Sequence, residues 1–128
     1  GDLVTVLGNI DHDRLSEVLR DADVFVFASS CENMPNTLIE GMAAGLPIAC
    51  SDRGPMPEIL QDGGVYFHPD DVESIESAIR QILDGPELAA RMSKKARELA
   101  GQYSWARCAE ETWAYCSAIH AEYYNGSE

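Results

Sequence analysis

The sequence predicts an α/β fold, a Rossmann-like parallel sheet of about four strands with flanking helices and a helical C-terminal region. Strand-like and helix-like segments alternate as far as Phe67, and such alternation builds parallel strands joined by right-handed crossovers. The clearest strand, Val24 to Ala28, reads VFVFA without a polar break, as expected where helices cover both faces of a sheet. A length of 128 residues sets the scale at one domain with one core.

The elements follow in order. Leu3 to Leu7 is a β-branched run ending at Gly8 and Asn9, the pattern of a buried strand that stops in a turn. Asp11 or Asp13 is placed to cap a helix through Ala22, whose Leu15, Val18, Leu19 and Ala22 recur at helical spacing. After VFVFA, a polar loop from Ser29 to Pro35 leads into a helix from Asn36 to Ala44, closed by Gly45 with Pro47 beyond. Ile48 to Cys50 is a short strand, Met56 to Leu60 one helical turn, and Val65 to Phe67 the fourth strand, entered through Asp62, Gly63 and Gly64.

Beyond Phe67 the chain reads as helix. Asp70 and Asp71 open a stripe of Val72, Ile75, Ile79, Ile82 and Leu83, broken at Gly85 and Pro86. Leu88, Met92, Ala96 and Leu99 form the next stripe. Ser104 caps a last helix with Trp105, Ala109, Trp113, Cys116, Ile119 and Tyr123 along one side. Such stripes are expected to be core, with Trp105 and Trp113 covering it. There is no internal repeat and no low-complexity linker.

Composition excludes several functions. The content is 45% hydrophobic and 24% charged, and no apolar run approaches the roughly 18 residues that span a membrane. Nine Lys and Arg against 22 Asp and Glu leave a net charge of −13, a field that repels nucleic acid and anionic lipid. Only Arg14, Arg20 and Arg53 are basic in the first 79 residues, so an anionic ligand needs cations from elsewhere. Cys31, Cys50, Cys108 and Cys116 form no CxxC pair and no ligand spacing with His12, His68 or His120, so no metal site is expected. Cys108 and Cys116 on one helix stand about 12 Å apart, too far for a disulfide. Four buried thiols in a reducing cytoplasm are expected. The start, GDLVTV, has no initiator Met and no signal core; it reads as a cut inside a longer protein.

The chemistry concentrates after VFVFA. Glu32 lies in the loop and Glu40 in the first turns of the next helix, both toward the carboxyl edge of the sheet, where α/β proteins bind ligands. Between them the helix N-terminus offers the amides of Asn36, Thr37 and Leu38 to a phosphate, and Pro35 stiffens the approach without a donor of its own. Alone, each glutamate reads as a dipole partner or a solvated charge. Together they suit a ligand with hydroxyls on both sides of a diphosphate. His12 and His68 lie outside this loop and read as surface or strand-end residues.

The stretch SSCENMPNTLIEGMAAGLPIACSDRGPMPEIL resembles the donor-binding core of the retaining GT-B glycosyltransferases, the large group 1 or family 4. The hallmark is Glu, seven residues, Glu, met by Glu32 and Glu40. ADVFVFAS, GMAAGLPI, Pro57-Glu58 and Ser104-Trp105 also fit, and the similarity covers essentially the whole chain, strongest from Ala22 to Phe67. The resemblance implies that residues 1–128 form a single domain, the truncated C-terminal donor-binding lobe and thus half of a GT-B fold. It implies that Glu32 contacts the donor sugar as the catalytic-site residue. Glu40 would bind the ribose, and Asn33, Met34, Pro35, Asn36, Thr37 and Leu38 would line the diphosphate site. Gly8, Asn9 and Ile10 are implied near the nucleobase.

The full enzyme would bind a nucleotide-diphosphate sugar as substrate and move the sugar to an acceptor hydroxyl with retention, using no cofactor and no metal. Its partners would be that donor and the missing N-terminal acceptor lobe, not nucleic acid. Its location would be cytoplasmic, with any contact at the inner membrane surface left to the missing lobe. Two departures stand out. Gly54-Pro55-Met56-Pro57-Glu58 replaces the usual Gly-Gly-x-Pro-Glu, and the Arg and Lys that clamp the diphosphate in this family are absent from the chain. Two other readings are a non-catalytic interaction module of the same fold, and a GT-B nucleotide-sugar epimerase using carboxylates for acid/base chemistry.

Overall fold

The computed structural model describes residues 3–124; residues 1–2 and 125–128 of the expected single domain lie outside the described residues. In chain order the elements are α1 (His12–Arg20), β1 (Phe25–Phe27), α2 (Asn36–Ala44), β2 (Ile48–Ser51), α3 (Met56–Leu60), β3 (Val65–Phe67), α4 (Val72–Asp84), α5 (Pro86–Ala100) and α6 (Trp105–Tyr124). The three strands form one parallel sheet in the order β1-β2-β3. Phe25 pairs with Ile48, and Ala49 with Val65.

Successive side chains of a strand point to opposite faces, and β2, buried throughout, serves two cores in this way. Ile48 and Cys50 join Leu38, Met42, Met56, Leu60, Ala96 and Leu99 beneath α2, α3 and α5. Ala49 joins Phe67, Ala78 and Ile82 beneath α4. The helix boundaries follow local chemistry. Gly45 ends α2 in the left-handed region at φ 76°, which glycine adopts without a Cβ penalty. Asp71 caps α4 by accepting from the Glu73 and Ser74 amides, and the Ser104 hydroxyl accepts from the Arg107 amide at the start of α6. At α1 the N-cap is Asp11, but its side chain makes no cap hydrogen bond.

Four expectations are corrected. The sheet has three strands because Leu3 to Leu7 is irregular and exposed. An extended segment becomes a strand only when a neighbour's backbone completes its ladder, and Leu3 to Leu7 pairs with no strand among the described residues. The face of β1 bearing Val26 is likewise open, because α4 packs on β2 and β3 instead. The aromatic side of α6 is not core: no α6 residue is buried, and Trp105 and Trp113 are 80% and 76% exposed. Helices α2, α3, α4 and α5 already cover both faces of the central strand β2, so α6 is not needed to close either core; Val72 and Leu83 are likewise exposed on α4. Only Cys50 is a buried thiol, since Cys31 lies on the loop and Cys108 and Cys116 on the uncovered α6.

Candidate donor-binding site

Where β1 ends at Phe27, the chain leaves the carboxyl edge as a loop that returns into α2. Glu32 sits part-buried in this loop, and the Ser29 hydroxyl donates to its Oε1 at 2.6 Å. Behind it stands the loop between β2 and α3. That loop is held by the Asp52 amide donating to the Phe67 carbonyl at 2.9 Å and the Arg53 amide donating to Ser51 Oγ at 3.2 Å. Gly54 takes φ 53°, and a Cβ there would come within 3.9 Å of the Glu32 carbonyl oxygen. The single glycine retained in this loop therefore stands against the backbone that carries Glu32.

Pro35 is the N-cap of α2 and offers no side-chain cap. The Asn36 amide, expected to be free, donates to the Met34 carbonyl at 2.9 Å. A tight turn thus consumes that donor. The amides of Thr37 and Leu38 have no partner among the described residues, and the first turn carries no acidic residue, so the positive end of α2 is not neutralised.

Glu40 lies one turn on, about one-third exposed, with His12 Nδ1 at 3.6 Å from its Oε1. Gly41 follows. A Cβ on Gly41 would fall 2.7 Å from Cδ1 of Phe25, so this glycine lets α2 ride against β1 and fixes where Glu40 stands. Gly8, Asn9 and Ile10 precede α1 by a few residues. Gly8 and Asn9 are exposed and Ile10 half-buried, on the same approach from which His12 reaches Glu40.

Glu32 thus lies in the loop before α2, the free Thr37 and Leu38 amides in its first turn and Glu40 one turn further along the helix. Asn33 and Met34 are exposed on the loop, and Pro35 is buried at the cap. Sequence reasoning missed the partners of the two glutamates, Ser29 and His12. It also missed a cleft of about 430 Å³ beside the α2 N-terminus, lined by Met34, Asn36, Ile39, Tyr103, Trp105 and Arg107. Neither Glu32 nor Glu40 lines that cleft. Serine three residues ahead of a carboxylate in a loop was the available signal for Ser29.

Arg53 is the basic residue of the neighbouring loop. Its guanidinium meets His68 Nε2 at 2.5 Å and lies 3.6 Å from Asp52 and 3.8 Å from Asp70, so it is engaged within the chain. The strongly shifted titrating groups among the described residues are Cys50 in the core and Tyr66 packed against it. Burial pushes the Cys50 thiol up to about 12. Tyr66 is raised by burial and by the nearby Cys50 and Asp62, and its hydroxyl donates to the Gln61 carbonyl at 2.6 Å. These shifts reflect packing around β2 and β3.

Comparison with known proteins places the fold and the sequence in a family. The family model described as glycosyl transferases group 1 matches residues 1–99. The sulfoquinovosyl transferase SQD2 of Arabidopsis thaliana is 34% identical over 103 residues, 77% of this chain and 20% of that protein. Glycogen synthase of Mycobacterium tuberculosis is 34% identical over 109 residues, covering 83% and 26%. Among solved structures, sucrose-phosphate synthase from Thermosynechococcus elongatus superposes with a TM-score of 0.83 at 30% identity, over 95% of this chain and 31% of that one. HepE of Anabaena, solved in complex with UDP, shares the fold at a TM-score of 0.72 and 17% identity, over 80% of this chain and 29% of its own. The chain thus spans between a fifth and a third of the length of these proteins.

Proposed function

The chain belongs to the group 1 glycosyl transferases, and from that premise we propose that it is the C-terminal, donor-binding lobe of a GT-B enzyme that transfers a sugar from a nucleotide-diphosphate sugar to an acceptor hydroxyl with retention of anomeric configuration. One observation carries the proposal: two unpaired amides at the start of α2 lie between a loop carboxylate and a helix carboxylate.

Each part has its own chemistry. Carboxylates accept strong hydrogen bonds from hydroxyls, so Glu40 takes the ribose and Glu32 the hydroxyls of the transferred sugar. The Thr37 and Leu38 amides, with the α2 dipole behind them, hold the diphosphate and stabilise the charge that builds on it as the glycosidic bond breaks. Gly8, Asn9 and Ile10 approach the nucleobase from the α1 side. Because Arg53 is engaged by His68, Asp52 and Asp70 and the chain carries −13, the cations that complete the diphosphate site come from elsewhere in the longer protein. The acceptor is bound there as well.

The test is Glu40→Ala in the intact enzyme. Loss of a charge-assisted bond to ribose should weaken nucleoside diphosphate binding by about 1–3 kcal/mol, read by calorimetry across UDP, GDP and ADP. An unchanged dissociation constant in a folded variant removes Glu40 from the site.

A further inference from the structure

We propose that Ser29 is the positioning residue of Glu32, holding one carboxylate oxygen so that the other faces the transferred sugar. This rests on the reading of Glu32 given above. Ser29 Oγ lies 2.6 Å from Glu32 Oε1 and 3.5 Å from the Cys31 carbonyl oxygen. A hydroxyl has one proton to give, and the shorter contact to a charged acceptor takes it. Oε2 of Glu32 has no partner among the described residues.

Glutamate on a loop has three side-chain torsions to fix before it can meet a substrate hydroxyl. Here one carboxylate oxygen is held. The loop at Gly54 lies beside the Glu32 backbone, a Cβ at Gly54 standing at an ordinary contact distance of 3.9 Å from the Glu32 carbonyl oxygen, and the carboxylate is tied to Ser29. Ser29 itself stands two residues beyond Phe27, the last residue of β1, whose position is set by pairing with Cys50. The chain of support therefore runs from the buried central strand through β1 and Ser29 to the free oxygen of Glu32. A group held this way meets its substrate without ordering at the moment of reaction.

The test uses the full-length protein with UDP-glucose, GDP-mannose and ADP-glucose as probes, following nucleoside diphosphate release and, separately, nucleoside diphosphate binding. Ser29→Ala should lower kcat for the donor that is used by about tenfold, while the dissociation constant of the nucleoside diphosphate stays within about twofold, since the ribose and diphosphate contacts are untouched. Ser29→Thr, which keeps the hydroxyl, should recover turnover. Ser29→Ala added to Glu32→Ala should change nothing further, because the hydroxyl then has no carboxylate to hold. Should Ser29→Ala fold poorly, Ser29→Cys keeps the volume, supplies only a weak donor, and gives the same readout.

The outcomes separate the proposal from the reading beneath it. Wild-type turnover in Ser29→Ala beside an impaired Glu32→Ala overturns the positioning role alone, as does a Ser29→Ala loss that persists undiminished without Glu32. Wild-type turnover in Glu32→Ala, or a wild-type protein that binds none of the three donors, overturns the reading of the site and this proposal with it.

Discussion

Gly41→Ala should both destabilise the lobe and weaken nucleotide binding, although alanine is the better helix former. Replacing glycine inside a helix ordinarily stabilises by about 1 kcal/mol. Here the new methyl would lie 2.7 and 2.8 Å from Cδ1 and Cε1 of Phe25 and 3.1 Å from Cγ. The nearest approach is about 0.7 Å inside ordinary contact, so the Phe25 ring or α2 must shift. The Phe25 amide is bonded to the Pro47 carbonyl at 2.9 Å, and its ring stacks on Phe27 at 6.2 Å between centroids. Overpacking of this kind costs about 1–3 kcal/mol, so after the helical gain of about 1 kcal/mol the expected stabilisation is cancelled and the net loss reaches up to about 2 kcal/mol. The strain is relieved by α2 moving off β1, and Glu40, one residue away, moves with it. Urea unfolding and calorimetric titration with a nucleoside diphosphate read the two effects, and Phe25→Leu in the same background should restore both by making room. A Gly41→Ala protein that is stabilised by about 1 kcal/mol and binds nucleotide normally would refute the close approach as the reason for this glycine.

Glu32→Gln should lower turnover more than it lowers nucleotide affinity, because the residue is assigned to the transferred sugar; steady-state kinetics beside calorimetry separate the two, and a collapse of affinity with turnover per bound donor preserved would exchange the roles of Glu32 and Glu40. Burial raises the Cys50 thiol from an ordinary 9.0 to about 12, so the folded chain keeps a proton that the unfolded chain releases. Its stabilising contribution is complete below pH 9 and falls as pH rises from 9 toward 12, by up to about 1.4 kcal/mol per pH unit. Denaturant titrations at pH 8.5 and 10.5 should show this fall lessened in Cys50→Ala, and identical pH dependence in the two proteins would rule it out. Native protein should also offer the exposed thiols Cys31, Cys108 and Cys116 to a thiol reagent, with Cys50 reacting only after unfolding.

What could be read from the sequence was what the chain decides locally. The limits of α2 coincide with expectation because Pro35 and Gly45 mark them by their own backbone chemistry, and Asp71 and Ser104 cap α4 and α6 through neighbours two or three residues away. Leu3 to Leu7 failed because β structure is decided by a partner strand, and no pattern within five residues reveals whether one is there. The stripe on α6 failed for the same reason. Amphipathic spacing says which side of a helix could be buried, and the two faces of the central strand β2 were already taken by Leu38, Met42 and Leu99 on one side and Ala78 and Ile82 on the other.

The site divides along the same line, and the division bears on what it selects. The spacing of Glu32 and Glu40 was legible because it is covalent. The loss of the Asn36 amide to Met34 was not, since it depends on how the chain turns through Pro35. What remains is a helix start with two free donors and a carboxylate to either side. By charge alone this is a poor anion site: each carboxylate opposes a phosphate, and the nearby guanidinium of Arg53 is already met by two carboxylates and an imidazole. The arrangement becomes favourable only when the ligand places hydroxyl donors where the carboxylates stand and its anionic centre against the Thr37 and Leu38 amides. A bare phosphate gains the amides and meets both repulsions, and a neutral sugar meets neither but gains only one carboxylate. On the proposed reading, a diphosphate esterified on both sides by hydroxyl-bearing rings would turn each repulsion into a hydrogen bond, and that same exchange would make the negative charge of this lobe a source of selectivity against simpler anions.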